Sequence, residues 1–172
     1  DRKKAIFKKK ELDLNDLAEN VANTFTLRVE HTGGHIQTQL NAKEPTIYVD
    51  EMHFTNVIFN LLDNAVKYKH PDRPVELMIK SWNEGGRLYL SVKDNGIGLK
   101  KENLKKIFEK FYRVHTGNVH DVKGFGLGLA YVKKIVELHK GEIHVESERG
   151  KGTKFIISLP EIKSGKQTGA DE

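Results

Sequence analysis

Asn60-Leu61-Leu62-Asp63-Asn64-Ala65-Val66-Lys67-Tyr68 lies late in an apolar run that begins at Phe54. Spaced at about 100° per residue, Asn60, Asn64 and Lys67 fall within roughly one sixth of a helix circumference. Phe54, Val57, Ile58, Leu61, Leu62 and Ala65 form a broader apolar stripe beside them, with Tyr68 on the border. One helix thus carries a core face and, along its edge, two amides and an ammonium. An amide oxygen is a neutral hard ligand that Mg²⁺ accepts alongside phosphate and water. A lysine one turn on offers a point charge to a phosphate oxygen. Amphipathic helices often hold Asn and Lys at their boundary, so the helix alone does not separate a metal–phosphate edge from a solvated one.

Working outward, residues 1–12 show no period and are expected to be the end of a longer helix or a linker. Asp13 can cap a helix in which Leu14, Leu17, Ala18, Val21, Ala22 and Phe25 recur at helical spacing. Gly33-Gly34 breaks it, and His35–Leu40 and Thr46–Val49 read as two short strands with a turn between. The central helix should run from Glu51 to Lys69, stopped by Pro71 and Pro74. Val75–Lys80 and Arg87–Lys93 form an expected hairpin around Asn83-Glu84-Gly85-Gly86, with Leu88, Leu90 and Val92 alternating onto one face. Lys101–Lys110 is helical in parts, Phe111–Lys123 polar and irregular, and Gly126–Lys140 a helix stopped by Gly141. Glu142–Ser147 and Thr153–Leu159 close as a second hairpin turned at Arg149–Gly152, and the tail from Glu161 is polar. This order predicts an α+β fold: a two-layer α/β sandwich whose mixed, largely antiparallel sheet packs on three helices.

The chain has 172 residues, enough for one domain with a substantial core. Hydrophobic residues make up 37% and charged residues 31%, a soluble globular balance. The net charge of +5 resides entirely in residues 1–10; residues 11–172 carry 23 charges of each sign. The basic excess is therefore an end effect, and with no nucleic-acid-binding motif present, nucleic acid is not an expected partner. The absence of cysteine excludes disulfides, thiolate zinc sites and thiol nucleophiles. No apolar run approaches ~18 residues, so no membrane span is expected and the cytoplasm is the default compartment.

Asp94-Asn95-Gly96-Ile97-Gly98 follows a strand, yet no strand returns at hairpin distance, so the turn does not close a ladder. Two glycines two apart let backbone come close to a ligand, and an anchored aspartate there can accept from an exocyclic amine. Gly124-Phe125-Gly126-Leu127-Gly128-Leu129 opens a helix, where exposed N–H groups at the positive dipole end suit phosphate. The dinucleotide fingerprint fails at Leu129, and no P-loop sequence is present.

Four blocks in this order, Asn60–Tyr68, Asp94-x-Gly96-x-Gly98, Phe108-Glu-Lys-Phe111 and Gly124-x-Gly126-x-Gly128, resemble the N, G1, F and G2 boxes of sensor histidine kinases. The resemblance covers about Leu12 to Pro160 and includes the closing Gly-x-Gly-Thr153-x-Phe155 segment. It implies the ATP-binding domain shared with gyrase-, Hsp90- and MutL-type ATPases, with ATP and Mg²⁺ as ligands. By that resemblance Asn64 would ligate Mg²⁺, with Asn60 near the same cluster. Lys67 would touch phosphate and Tyr68 would pack near adenine. Asp94 would accept from the adenine N6 amine, and Gly96 and Gly98 would floor the base pocket. Phe108 and Phe111 would fasten a lid over residues 111–123, although i,i+3 phenylalanines also serve as ordinary core anchors. Arg113 would reach the γ-phosphate, while Gly124, Gly126, Leu127, Gly128, Leu129 and Thr153 would line the bound nucleotide.

In the hydrolysing relatives a Glu that activates water stands where this chain has Asn60, and an amide cannot act as a base. Transfer to another acceptor is therefore expected over hydrolysis, with a gyrase/Hsp90/MutL-type ATPase or conformational module as the alternative. None of the eight histidines carries the family's Pro at the fifth following position; His120-Asp121-Val122-Lys123 imitates only the beginning of that pattern. The acceptor is thus expected on a separate dimerisation domain, with a response-regulator receiver downstream. The isolated domain is expected to be a monomer and its parent a homodimer. Residues 1–11 would be the linker from the dimerisation helix, 12–160 the catalytic domain and 161–172 a disordered tail.

Overall fold

The computed structural model describes residues 6–110 and 125–162. Phe111, Arg113, Gly124, the expected lid with its His120, and the tail beyond residue 162 lie outside them.

Two helices form where the periodicity places them. Helix α1 spans Leu14–Glu30, and Asp13 caps it by accepting from Asp16 N at 3.0 Å. Helix α2 spans Glu51–Lys67, capped by Asp50, which accepts from His53 N at 3.0 Å. The apolar stripe of α2 is fully used: Phe54, Val57, Ile58, Leu61, Leu62 and Ala65 are all buried. Helix α3 is a single turn, Lys101–Leu104, and helix α4 spans Phe125–Leu138.

Strand β1 is Lys9–Asp13, β2 His35–Leu40, β3 Thr46–Asp50, β4 Glu76–Glu84, β5 Arg87–Asp94, β6 Glu142–Glu148 and β7 Gly152–Pro160. Five of them form one sheet in the order β2-β4-β5-β7-β6. Its β2–β4 edge is parallel and the other three ladders are antiparallel. Alternation sends Leu77, Ile79, Leu88, Leu90, Phe155 and Ile157 inward, where they meet the buried stripes of α1, α2 and α4 in one core. The expected two-layer α+β sandwich is what forms.

Two local expectations change. Residues Lys9–Leu12 are not the end of a helix or a linker: with Asp13 they pair antiparallel with β3, from Lys9↔Asp50 to Asp13↔Thr46. Nor do β2 and β3 pair with each other; β2 joins β4 and β3 joins β1.

The N-terminal segment docks on a polar cluster between α2 and α4. Phe7 lies 5.2 Å from the His53 ring and 4.7 Å from the His139 ring, centroid to centroid. Lys8 N donates to Asp50 Oδ2 at 2.8 Å. His139 is 4% exposed; its Nδ1–H donates to Ile135 O at 2.8 Å and its Nε2 accepts from Asp50 N at 3.2 Å. Those partners fix the neutral tautomer, and burial pushes the His139 pKa below its ordinary value. Asp50, His53 and Lys9 are the charged or titratable groups that bear on it.

A histidine held neutral by the fold binds its proton later than the unfolded chain does, near 6.5. Its contribution to stability is therefore present above pH 6.5 and lost as the pH falls below it. Urea midpoints at pH 7.5 and 5.5 should show this loss in the parent. His139→Leu should be about 1–3 kcal/mol less stable at pH 7.5, leaving the Asp50 N–H unpaired, and flatter between the two pH values. An unchanged pH slope in that variant would remove His139 as its source.

Candidate functional site

The site residues of α2 do not share one environment. Asn64 is 5% exposed, and its Oδ1 is buried with no hydrogen-bond partner among the described residues. The wheel places it on the edge of the apolar stripe; packing of α2 against its neighbours instead covers that edge and leaves a bare acceptor inside. Asn60, half-buried, donates through Nδ2 to Asn56 O at 2.9 Å. A Cβ on Gly128, in the first turns of α4, would stand 3.2 Å from Asn60 Oδ1, so α4 passes directly over that amide oxygen. Lys67 is exposed, with Nζ 3.1 Å from Asp63 Oδ2, while Arg28 reaches Asp63 Oδ1 at 3.1 Å. Tyr68 ends α2, its N–H donating to Asn64 O at 2.9 Å and its carbonyl accepting from Ile97 N at 3.0 Å.

That last bond brings the Asp94–Gly98 loop against the end of α2. Asp94 Oδ1 accepts from Gly96 N at 2.8 Å and Thr153 N at 3.2 Å. No hydrogen bond among the described residues reaches Oδ2, so one oxygen is fixed by the backbone and the other is left to accept. Burial pushes the Asp94 pKa from its ordinary 3.8 to about 6, although both N–H groups pull it down.

The glycines of this loop are required by the chain itself. A Cβ on Gly96 would strike the Tyr68 carbonyl, and one on Gly98, at φ +72°, would strike the Glu148 carbonyl. The close approach expected of a ligand is thus made first by neighbouring backbone. Residues that the motifs did not single out hold it there. Arg73 Nε donates to Asn95 O at 2.9 Å and its Nη2 to Gly150 O at 2.7 Å. Ser147 Oγ accepts from Leu99 N and lies 2.8 Å from Thr153 Oγ1. The only sequence signal for this second layer is the nearness of polar residues to the glycine blocks.

Phe108 sits edge-on to Phe155 at 6.2 Å, with Lys133 Nζ 5.7 Å from its ring centre. It thus packs between β7 and α4, as a core anchor does. Gly126 and Leu127 belong to the start of α4, and Leu129 is buried. The structure therefore brings together the end of α2, the Asp94 loop, Thr153 and the first turns of α4. Phe111, Arg113 and Gly124 fall outside the described residues. Among the described residues no group of three His, Asp or Glu side chains could hold a metal, and no helix is long and apolar enough to cross a membrane. The bare Asn64 oxygen nonetheless fits a hard cation that takes only one or two protein ligands.

Comparison with known proteins places the chain in a family. Residues 49–163 match the family described as histidine kinase-, DNA gyrase B-, and HSP90-like ATPase. The chain is 63% identical over 164 residues to the sensor protein RprX of Bacteroides fragilis (strain YCH46), covering 95% of this chain and 32% of that protein. It is 36% identical over 128 residues to the sensor histidine kinase WalK of Bacillus subtilis (strain 168), covering 73% of this chain and 21% of WalK. Among solved structures, full-length ShkA in complex with AMPPNP superposes with a TM-score of 0.79 at 26% identity, covering 93% of this chain and 32% of ShkA. The chain thus spans about a third or less of these proteins.

The Asp94 pKa has a consequence for the ligand-free protein. The folded state holds this proton up to about pH 6, so stability falls as the pH rises from 3.8 through 6. The displacement corresponds to about 3 kcal/mol at neutral pH, taken as an upper bound. Asp94→Asn keeps an oxygen for Gly96 N and Thr153 N and sheds the charge. Without ligand it should be more stable than the parent at pH 7.5 by denaturant midpoint, with the gain vanishing near pH 4. Destabilisation at pH 7.5 would contradict a charge held at a cost.

Proposed function

Because the chain belongs to the histidine kinase-, DNA gyrase B-, and HSP90-like ATPase family, we propose that it is the ATP-binding catalytic domain of a sensor histidine kinase. It passes the γ-phosphate of ATP to a histidine on a separate dimerisation domain of a longer homodimeric protein, from which a response-regulator receiver then takes it. The parent is a membrane-anchored sensor with this domain in the cytoplasm, monomeric when isolated. Residues 12–160, completed by β1 from Lys9, are the catalytic unit.

The Asp94 carboxylate carries the reading. With Oδ1 locked by Gly96 N and Thr153 N, Oδ2 is presented as an oriented acceptor. Adenine offers an N6 amine to it; guanine offers an oxygen, and two acceptors would face each other. Tyr68, Gly96 and Gly98 flank the base. Asn64 and Asn60 would hold Mg²⁺, which would supply neutralisation of the phosphate charge. Ligation would give the buried Asn64 oxygen the partner that it lacks in the protein alone.

The start of α4, with Gly126, Leu127, Gly128 and Leu129, offers N–H groups to the phosphates, and Gly124, Lys67 and Arg113, named by the family resemblance, add backbone freedom and positive charge. Phe108 and Phe111 anchor the segment between them and α4. Asn60 orients without abstracting a proton, so the protein contributes position and charge neutralisation, and the attacking nucleophile comes from the acceptor histidine.

Calorimetry should show Mg·ATP binding with adenine preferred over guanine nucleotides. Asp94→Asn should weaken it at least tenfold, about 1.4 kcal/mol or more; equal affinity for ATP and GTP would sink the role of Asp94. Asn64→Ala should lose the Mg²⁺-dependent part of the affinity.

With γ-labelled ATP the chain alone should gain no phosphohistidine. Mixed with a matching dimerisation domain it should label that partner, slowly, since the tether is missing. The label should be acid-labile and absent with Asn64→Ala. Rapid release of free phosphate without transfer would instead place the chain with the hydrolysing ATPases.

A further inference from the structure

The sheet face turned away from the helices carries a concentration of positive charge that the nucleotide site does not use. Lys93 of β5 stands directly opposite Lys154 of β7. Lys80 of β4 is opposite Ser91, one diagonal step from Lys93. Side chains directly opposite on antiparallel strands have Cβ atoms about 5 Å apart, and like charges there repel. The side chains of Lys80, Lys93 and Lys154 have no ion pair among the described residues. Glu146 is the register neighbour of Lys154 on β6 and does not pair with it.

These lysines, with Lys151 of the adjoining turn, line a cleft of about 460 Å³. The cleft runs from Gln37 on β2 across β4 and β5 to Lys154 on β7, three strand spacings or about 14 Å. Half-buried Met78 forms part of its floor. Two carboxylates also line it, Glu76, 3.4 Å from His35 Nδ1, and Asp94, whose Oδ1 accepts two backbone N–H groups, so the four lysines outnumber the acids two to one. Since residues 11–172 are neutral as a whole, this row is a local imbalance.

We propose that this cleft is a docking site for an acidic peptide segment, an extended stretch of several Asp or Glu residues on a partner protein. Charge complementarity selects the sign. The 14 Å length matches about four extended residues, where a single phosphate would meet only one pair of lysines. The amide of exposed Gln37 and the half-buried, apolar Met78 suit a peptide's mixed surface. A bound carboxylate between Lys93 and Lys154 would turn their repulsion into two charge-assisted hydrogen bonds. The lysines lie on the sheet face away from α2, while Asp94 at the end of the cleft is shared with the nucleotide reading; the lysines alone carry the proposal.

The chain's only tryptophan, Trp82, stacks on Tyr89 at 5.3 Å two residues from Lys80 and reports on the cleft. A labelled peptide containing six consecutive glutamates should bind the full chain at low salt, quench or shift Trp82, and dissociate at 0.5 M salt. Lys93→Glu/Lys154→Glu should weaken that binding at least tenfold with an unchanged circular dichroism spectrum. Lys93→Glu alone, which gives Lys154 an opposite charge across the ladder, should raise the thermal midpoint. No binding, or equal binding to the double variant, would overturn the proposal. Tighter binding of inorganic tripolyphosphate, single-stranded DNA or phosphatidylglycerol vesicles than of the peptide would also overturn it.

Discussion

The Asp94 carboxylate can be held inside the protein only because two backbone N–H groups, from Gly96 and Thr153, meet the same oxygen. That requirement reaches far along the chain. It ties the end of β5 to the start of β7, and Gly152 has to take φ +132° where a Cβ would strike the Asp94 carbonyl. Ile97 bonds both to Tyr68 O and to Gly150 N, so the end of α2 and the last hairpin are fixed by one residue. The arrangement is costly in charge: desolvation outweighs both hydrogen bonds in the aspartate's acidity. A group held ionised against its surroundings at neutral pH is poised for a partner that donates a hydrogen bond.

The elements legible in the sequence are those whose signal is local. Leu14 to Phe25 and Phe54 to Ala65 repeat at helical spacing, and both helices bury those residues. Leu88, Leu90 and Val92 alternate, and all three face the core. Strand β1 escaped because Lys9-Lys10-Glu11 offers neither alternation nor apolar content; it forms since β3 supplies a ladder forty residues away in sequence. The parallel β2–β4 pairing is similarly invisible, because nothing in His35–Leu40 states which neighbour it will have.

For the site, spacing gave the residues and not their surroundings. Asn64 was legible as a polar residue on a helix edge, but whether that edge faces solvent depends on what packs across it. The glycines of the Asp94 loop were legible as places of close approach; the approaching atoms are the carbonyls of Tyr68 and Glu148, which no pattern names. Phe108, readable either as a lid fastener or as a core anchor, makes its contacts with Phe155 and Lys133. Arg73 gave no signal, since its role is a bond to carbonyls brought near by folding.

The docking of residues 7–13 also has a mechanical side. β1 runs antiparallel to β3 and feeds directly into α1, so tension applied ahead of Phe7 along the strand loads the Lys9–Asp13 ladder lengthwise. In that geometry the ladder's hydrogen bonds bear the load together, whereas a sideways pull would open them one after another. At the loaded end Phe7 is wedged between His53 and His139, and Lys8 N is held by Asp50. Asp50 is at once the cap of α2, the last residue of β3 and a hydrogen-bond donor to His139. A load applied at Phe7 along β1 would therefore bear on Asp50, the cap of the helix that carries Asn60 and Asn64.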